Sequence, residues 1–188
     1  MGLPNWLTVL RILLIPVFVT LLVYRRPGTA LAVFCLASLT DLLDGYIART
    51  RGSQSRLGAF LDPMADKLLL TASFVTLTYL RALPFWITAV VISRDVILVL
   101  GAVLIHMTGG QIYPSPTRAG KLSTFLQILA VLVAMLMPYV RAPLALKAVL
   151  WITAGFTVFS GLQYIYRGMG DLNTAHPAER EHEDPLLR

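Results

Sequence analysis

Apolar residues gather into six long runs, Trp6–Tyr24, Thr29–Ile47, Phe60–Leu80, Pro84–His106, Leu122–Val140 and Leu144–Tyr166, with short polar joints between them. Each is close to the roughly 20 residues a helix needs to cross the hydrocarbon core of a bilayer. The pattern predicts an all-α integral membrane protein of six transmembrane helices, with a single membrane domain over residues 1–167. From Gly168 onward the runs stop. Residues 168–188 are polar and charged, with Gly and Pro among them, and hold too little apolar surface to form a core. They predict a solvated, disordered tail in which His176 and His182 are surface residues.

Composition supports this reading. Of the 188 residues 56% are hydrophobic, more than one soluble domain of this size can hide. The net charge of +6 would raise the question of nucleic acid in a soluble chain, but here the cations stand at run ends and joints. A lipid bilayer with an anionic surface is the simpler partner, and nucleic acid is not expected. Trp6, Tyr24, Trp86 and Trp151 lie near run ends, where amphipathic rings favour the membrane interface. Six spans put both termini on one side, which holds Arg49, Arg51, Arg56, Arg118, Lys121 and Arg167; the other holds Arg25, Arg26, Arg81, Arg141 and Lys147. The excess of cations therefore leans toward cytoplasmic termini. A neutral start and Arg11 inside the first run predict a retained helix, not a cleaved signal, and position six lacks the Ser or Thr of a myristoylation signal. Cys35, the single cysteine, cannot form an intrachain disulfide and reads as packing.

The acidic residues carry the chemical information. Of ten, Asp171, Glu179, Glu181, Glu183 and Asp184 belong to the tail, whereas Asp95 and the four acids Asp41, Asp44, Asp62 and Asp66 fall in or beside apolar runs. Left uncompensated at depth, four such acids would cost about 10 kcal/mol, at roughly 2.5–3.5 kcal/mol each on insertion scales. Their spacing says what compensates them. Asp41 and Asp44 are three apart and Asp62 and Asp66 four apart, so each pair occupies one face of a helix. The joint from Thr50 to Leu57 is short enough to make the two helices antiparallel neighbours, which brings the pairs toward one membrane surface. Four converging carboxylates repel one another unless protonated or neutralised, and an all-oxygen donor set without His or Cys suits Mg²⁺ or Mn²⁺ over zinc. Two divalent ions balance four carboxylates. Such a pair can clamp a diphosphate and stabilise the attacking and leaving oxygens of an in-line displacement while one carboxylate accepts a proton.

Acids within spans also mark proton relays and cation pathways, and on the acids alone that alternative stays open. The neighbouring residues favour phosphoryl transfer. From Asp41 the chain reads Asp-x2-Asp-Gly-x2-Ala-Arg-x8-Gly-x3-Asp-x3-Asp, formed by Asp41, Asp44, Gly45, Ala48, Arg49, Gly58, Asp62 and Asp66. Small residues at 45, 48 and 58 leave room for a bulky ligand, and Arg49 offers a planar fork for phosphate that a cation channel does not need.

At all eight positions this motif resembles that of the CDP-alcohol phosphotransferase family. The resemblance extends to Pro4-Asn5, Thr8 and Arg11, to Asp66-Lys67, to Ser93-Arg94-Asp95 and to Gly120-Lys121 with Thr124, and covers about Asn5 to Tyr166. It implies six helices around a polar cavity open to the cytoplasmic side, and release of CMP as an acceptor hydroxyl attacks the β-phosphorus. It further implies that Asp41, Asp44, Asp62 and Asp66 hold two ions, Mg²⁺ or Mn²⁺, with Asp66 also the general base. Asn5, Thr8, Gly45, Ala48, Arg49 and Gly58 would bind the CDP-lipid, with Arg11 lining the same cavity unless it only snorkels. Arg94, Arg118 and Lys121 would bind the acceptor, although Arg94 and Asp95 could instead form an internal ion pair. The whole-chain resemblance is to the short glycerol-phospholipid branches of the family, which take CDP-diacylglycerol as donor and glycerol 3-phosphate or phosphatidylglycerol as acceptor. Homodimers and a place in the bacterial inner membrane, or the mitochondrial inner membrane in a eukaryote, go with those branches. One departure bears on the acceptor: the glycerophosphate enzymes commonly carry Gly-Lys-x-Lys-Thr, and Ser123 stands where the second lysine would be. Arg118, three residues before Lys121, would share its face if the fifth helix begins early. His106 reads as an interfacial residue.

Overall fold

The computed structural model describes residues 3–51, 56–107 and 118–174. Their regular structure is entirely helical: α1 (Leu3–Val23), α2 (Pro27–Arg51), α3 (Arg56–Tyr79), α4 (Phe85–Met107), α5 (Arg118–Val140) and α6 (Pro143–Thr174). Every apolar run becomes one helix, and the helices overrun the apolar limits. α5 starts at Arg118, four residues before the run, and α6 continues to Thr174, into the segment expected to be tail. Polarity alone does not stop a helix; a backbone terminator does.

Those terminators are legible at one end of the bundle. Arg25, Arg81 and Arg141, just past the ends of α1, α3 and α5, take φ of 55°, 60° and 47°, the left-handed conformation in which glycine is usual. After α1, the Arg26 amide donates to the Leu21 carbonyl at 2.9 Å and the Arg25 amide to the Leu22 carbonyl at 3.0 Å. The Ala82 and Arg81 amides repeat this pair of bonds on Leu77 and Thr78 after α3. This is the Schellman arrangement, which satisfies carbonyls that a helix end leaves open.

α1 packs extensively against both α2 and α3, while α5 packs against α6 and α6 against α4. Lighter contacts of α3 with α4 and α5, and of α2 with α5, join these two halves. The core runs through both, with Phe18, Phe34, Phe74, Ile87, Met135 and Leu150 each from a different helix and each buried. Phe18 and Phe34 lock α1 to α2 with ring centroids 5.6 Å apart. Outward faces are apolar as well: Leu13, Leu36, Val99, Phe125 and Phe159 are all exposed. A helix apolar all round needs lipid or protein on its outer face. Among the described residues, two helical stretches are suited by length and composition to crossing a membrane, Ala119–Val140 and Pro143–Tyr166; Val9–Val23 and Pro27–Thr40 are shorter apolar stretches. Cys35, expected to pack inside, lies exposed on the outer face of α2, because its position in the helix turns it away from Phe34 and Ala37.

Candidate functional site

The helix directions decide which acids share a level. Asp41 lies ten residues before the end of α2 and Asp66 ten residues after the start of α3, so each is about 15 Å along its helix from the joint between them. Asp44 and Asp62 are seven and six residues from the same ends. Counted from that joint, the inner members of the pairs lie at similar distances along their helices and so do the outer members, although α2 and α3 touch only lightly and α1 packs against both. The side chains of Asp41, Asp44, Gly45, Ala48, Arg49, Gly58 and Asp62, like those of Asn5, Thr8 and Arg118, lie outside the described residues. Asp66 is half-buried.

α1 stands against both aspartate-bearing helices, and it carries Arg11, which is fully buried. Arg11 is eight residues, about 12 Å, from the start of α1. Complete burial rules out snorkelling to the interface. Arg11 therefore stays inside the bundle, on the helix that packs against both aspartate-bearing helices, which position along the sequence did not distinguish from an interfacial place.

Around Lys67, the residue after Asp66, the two halves of the bundle meet in an ionic network. The Lys67 ammonium donates to Asp95 Oδ1 at 2.7 Å, and Arg94 Nη1 donates to the same oxygen at 2.7 Å. Arg94 Nη2 donates to Ser160 Oγ on α6 at 3.3 Å, and its buried Nε has no hydrogen-bond partner among the described residues. The internal Arg94–Asp95 pair is thus present, widened by Lys67 into a triad that sequence spacing could not reveal, because Lys67 stands on α3 and the pair on α4. Asp95 follows Arg94 directly; only the α3–α4 and α4–α6 contacts bring in Lys67 and Ser160.

The start of α5 supplies the remaining candidates. Because α5 begins at Arg118, that residue and Lys121 stand one turn apart, the condition under which they share a face. Lys121 is exposed, and the Thr124 hydroxyl donates back to the Gly120 carbonyl at 3.2 Å. Ser123, at the position of the missing second lysine, points elsewhere. It is fully buried, with Oγ 3.1 Å from Thr157 Oγ1 on α6. Gln127 Nε2 donates to the same Thr157 oxygen at 3.4 Å and Thr153 Oγ1 to the Leu126 carbonyl at 3.2 Å, which makes a buried polar seam between α5 and α6. Among the described residues no cluster of three metal-binding side chains occurs, since three of the four aspartates lie outside them.

Comparison with known proteins agrees with the motif. The family model for CDP-alcohol phosphatidyltransferase matches residues 1–159. The chain is 35% identical over 194 residues to the CDP-diacylglycerol--glycerol-3-phosphate 3-phosphatidyltransferase of Bacillus subtilis, covering 93% of this chain and 99% of that one. It is 33% identical over 180 residues to the probable phosphatidylglycerophosphate synthase of Mycobacterium tuberculosis, covering 91% and 83%. Human cardiolipin synthase (CMP-forming) is 50% identical over 97 residues, a match that covers 51% of this chain and 32% of that one. With a family model spanning most of its length, and full-length relatives above 30% identity, the chain belongs to the CDP-alcohol phosphatidyltransferase family.

Proposed function

We propose that this enzyme moves the phosphatidyl group of CDP-diacylglycerol to the hydroxyl of glycerol 3-phosphate with release of CMP, the reaction of a phosphatidylglycerophosphate synthase. The observation that carries this reading is the unbroken eight-position motif, whose four aspartates stand in two pairs, one on α2 and one on α3. The names of the two full-length relatives support the choice of donor and acceptor. In this reading six spanning helices hold the site open to the cytoplasmic side of a bacterial inner membrane, or the equivalent side of a mitochondrial one, and the chain works as a homodimer.

Asp41, Asp44, Asp62 and Asp66 are a donor set that fits Mg²⁺ or Mn²⁺, four carboxylates with neither His nor Cys among them. When bound, two such ions neutralise the diphosphate and the charge that develops on the departing CMP. The protein's own groups do the rest. Asn5, Thr8, Gly45, Ala48 and Gly58 accommodate the cytidine diphosphate, and Arg49 grips its phosphate. Asp66 takes the proton of the acceptor hydroxyl as that oxygen bonds to the β-phosphorus and the bond from phosphorus to the CMP oxygen breaks. Glycerol 3-phosphate brings nearly two negative charges, which Lys121 and Arg118, a turn apart on α5, offset directly. Arg94 already gives two nitrogens to Asp95 and Ser160, so it acts mainly through its charge.

Phosphatidylglycerol as acceptor is the second reading, favoured by the 50% identity to human cardiolipin synthase over 97 residues and by the serine at position 123. The test is CMP release by purified protein given CDP-diacylglycerol and each acceptor in turn, with and without excess chelator. Glycerol 3-phosphate should support turnover, and chelator should stop it. Cardiolipin formation with no response to glycerol 3-phosphate would transfer the assignment to the second reading. Turnover undiminished by chelator would overturn the two-ion site.

A further inference from the structure

The donor and acceptor residues of the proposed reaction divide between the two halves of the bundle. Asn5, Thr8, Asp41, Asp44, Asp62 and Asp66 are on α1–α3, whereas Arg94, Arg118 and Lys121 are on α4–α6. The α3–α4 contact at the seam between the halves is light, so the direct packing of α3 on α4 does little to hold the general base in register with the acceptor cations. The bond from Lys67 to Asp95 crosses that seam, one residue after Asp66. It continues through Asp95 and Arg94 to Ser160, so a single carboxylate oxygen ties α3 to α4 and, through the guanidinium, to α6.

We propose that Lys67 and Asp95 are positioning residues, a polar tie that sets the register of α3 against α4 and with it the direction in which Asp66 meets the acceptor. Asp66 and Lys67 are consecutive, so their side chains leave the helix about 100° apart. Fixing one therefore fixes the other. The side chain of Lys67 is 40% exposed and that of Asp95 17%, while Arg94 is enclosed at 9%. The buried Arg94–Asp95 pair is the anchor, and Lys67 is the member that α3 contributes to it. Leu68 and Thr71 on α3 face Ile92 and Val96 on α4 along the groove beside the tie. These side chains line an open groove, so little direct packing fixes α3 against α4 at this point, and the ammonium-to-carboxylate bond is directional and charge-assisted.

The inference rests on the assignment of Asp66 as base, and its test separates the two. Asp95→Asn would strand two cations and risk misfolding, so the informative change is at Lys67. Lys67→Met removes the tie and leaves the Arg94–Asp95 pair neutral and intact; Lys67→Arg keeps a donor that reaches Asp95. Lys67→Met should insert and melt like the parent and keep both KM values within about twofold, yet lose between about 10- and 100-fold in kcat, the range expected when a catalytic group is displaced by about an ångström. Lys67→Arg should recover most of that loss. In an Asp66→Asn background, Lys67→Met should cost little further, because the group it positions is already gone. An unchanged kcat in Lys67→Met overturns the proposal, as does an arginine variant no better than the methionine one, or a raised KM in place of a lowered kcat. Losses that multiply in the double variant also overturn it, by placing the effect of Lys67 elsewhere. Full activity of Asp66→Asn alone would instead refute the assignment of the base.

Discussion

Asp66 is the residue on which the proposed chemistry turns, and an amide at that position is the sharpest probe of it. Asp66→Asn keeps the shape of the side chain and removes its capacity to take a proton. CMP release should fall by about 10²–10⁴-fold from loss of the base, and further if an ion is lost with it. Near-parental release from an inserted Asp66→Asn protein would exclude the role. Arg118 makes a different demand. Standing one turn before Lys121 at the start of α5, it is the proposed second cation for the acceptor phosphate. Arg118→Ala should raise the KM for glycerol 3-phosphate several-fold, while that for CDP-diacylglycerol stays within about twofold. Equal rises in both would show that Arg118 does not discriminate the acceptor. At this scale the motif made all eight of its positions legible, because fixed spacing on a helix is local information. The burial of Arg11 and the Lys67–Asp95 bond were not legible, since each depends on which neighbouring helix happens to face the residue.

The helices themselves were read nearly whole from the apolar runs, and the differences lie at their ends. Runs mark where lipid or core contact is required, whereas ends are set by backbone bonds. The three left-handed arginines illustrate this, because nothing in Tyr24-Arg25, Leu80-Arg81 or Val140-Arg141 resembles the usual glycine cap. A side chain held in the left-handed region costs roughly 1–2 kcal/mol, against which a cation at a helix C-terminus returns about 0.3–1 kcal/mol. Arg81→Gly should therefore be neutral to stabilising by about 1 kcal/mol, a rise of up to about 4 °C in the melting temperature of detergent-solubilised protein. A clear drop on thermal denaturation would mean that the Arg81 side chain makes interactions worth more than its strain. At the site end of α4, Gly101 has the opposite character. A Cβ there would lie 2.8 Å from the Tyr164 ring, so this position admits α6 closely. Overpacking by Gly101→Leu should destabilise by about 1–3 kcal/mol as α4 and α6 are forced apart, measurable as a lower unfolding temperature.

For the molecule as a whole, the outward-facing apolar surface makes a prediction that needs no substitution. Cys35 is the single cysteine and is exposed on the outer face of α2, eight residues or about 12 Å from the start of that helix. If α2 crosses a bilayer, a water-soluble maleimide should fail to label Cys35 in reconstituted vesicles and should label it once detergent unfolds the protein. Rapid labelling in intact vesicles would contradict the six-span reading. The same geometry gives a physical reason for the low amphipathic contrast of the apolar runs: core and lipid both select apolar side chains, so a run cannot reveal which of its faces points inward. Cys35 was misplaced on that account.

The chain by itself determined the number and class of its elements, the family, and the spacing of four aspartates along two helices, because each of these is written in periodicity and local register. It could not determine which helix packs against which. That α1 stands between α2 and α3, that the bundle divides into halves, and that a carboxylate on α4 receives a lysine from α3 and an arginine anchored on α6 are consequences of tertiary contact alone. Lys67 and Asp95, 28 positions apart along the chain, become partners at 2.7 Å only when α3 and α4 meet. Charges are the groups for which this matters most, because a buried ion without a partner costs far more than a misplaced methyl group.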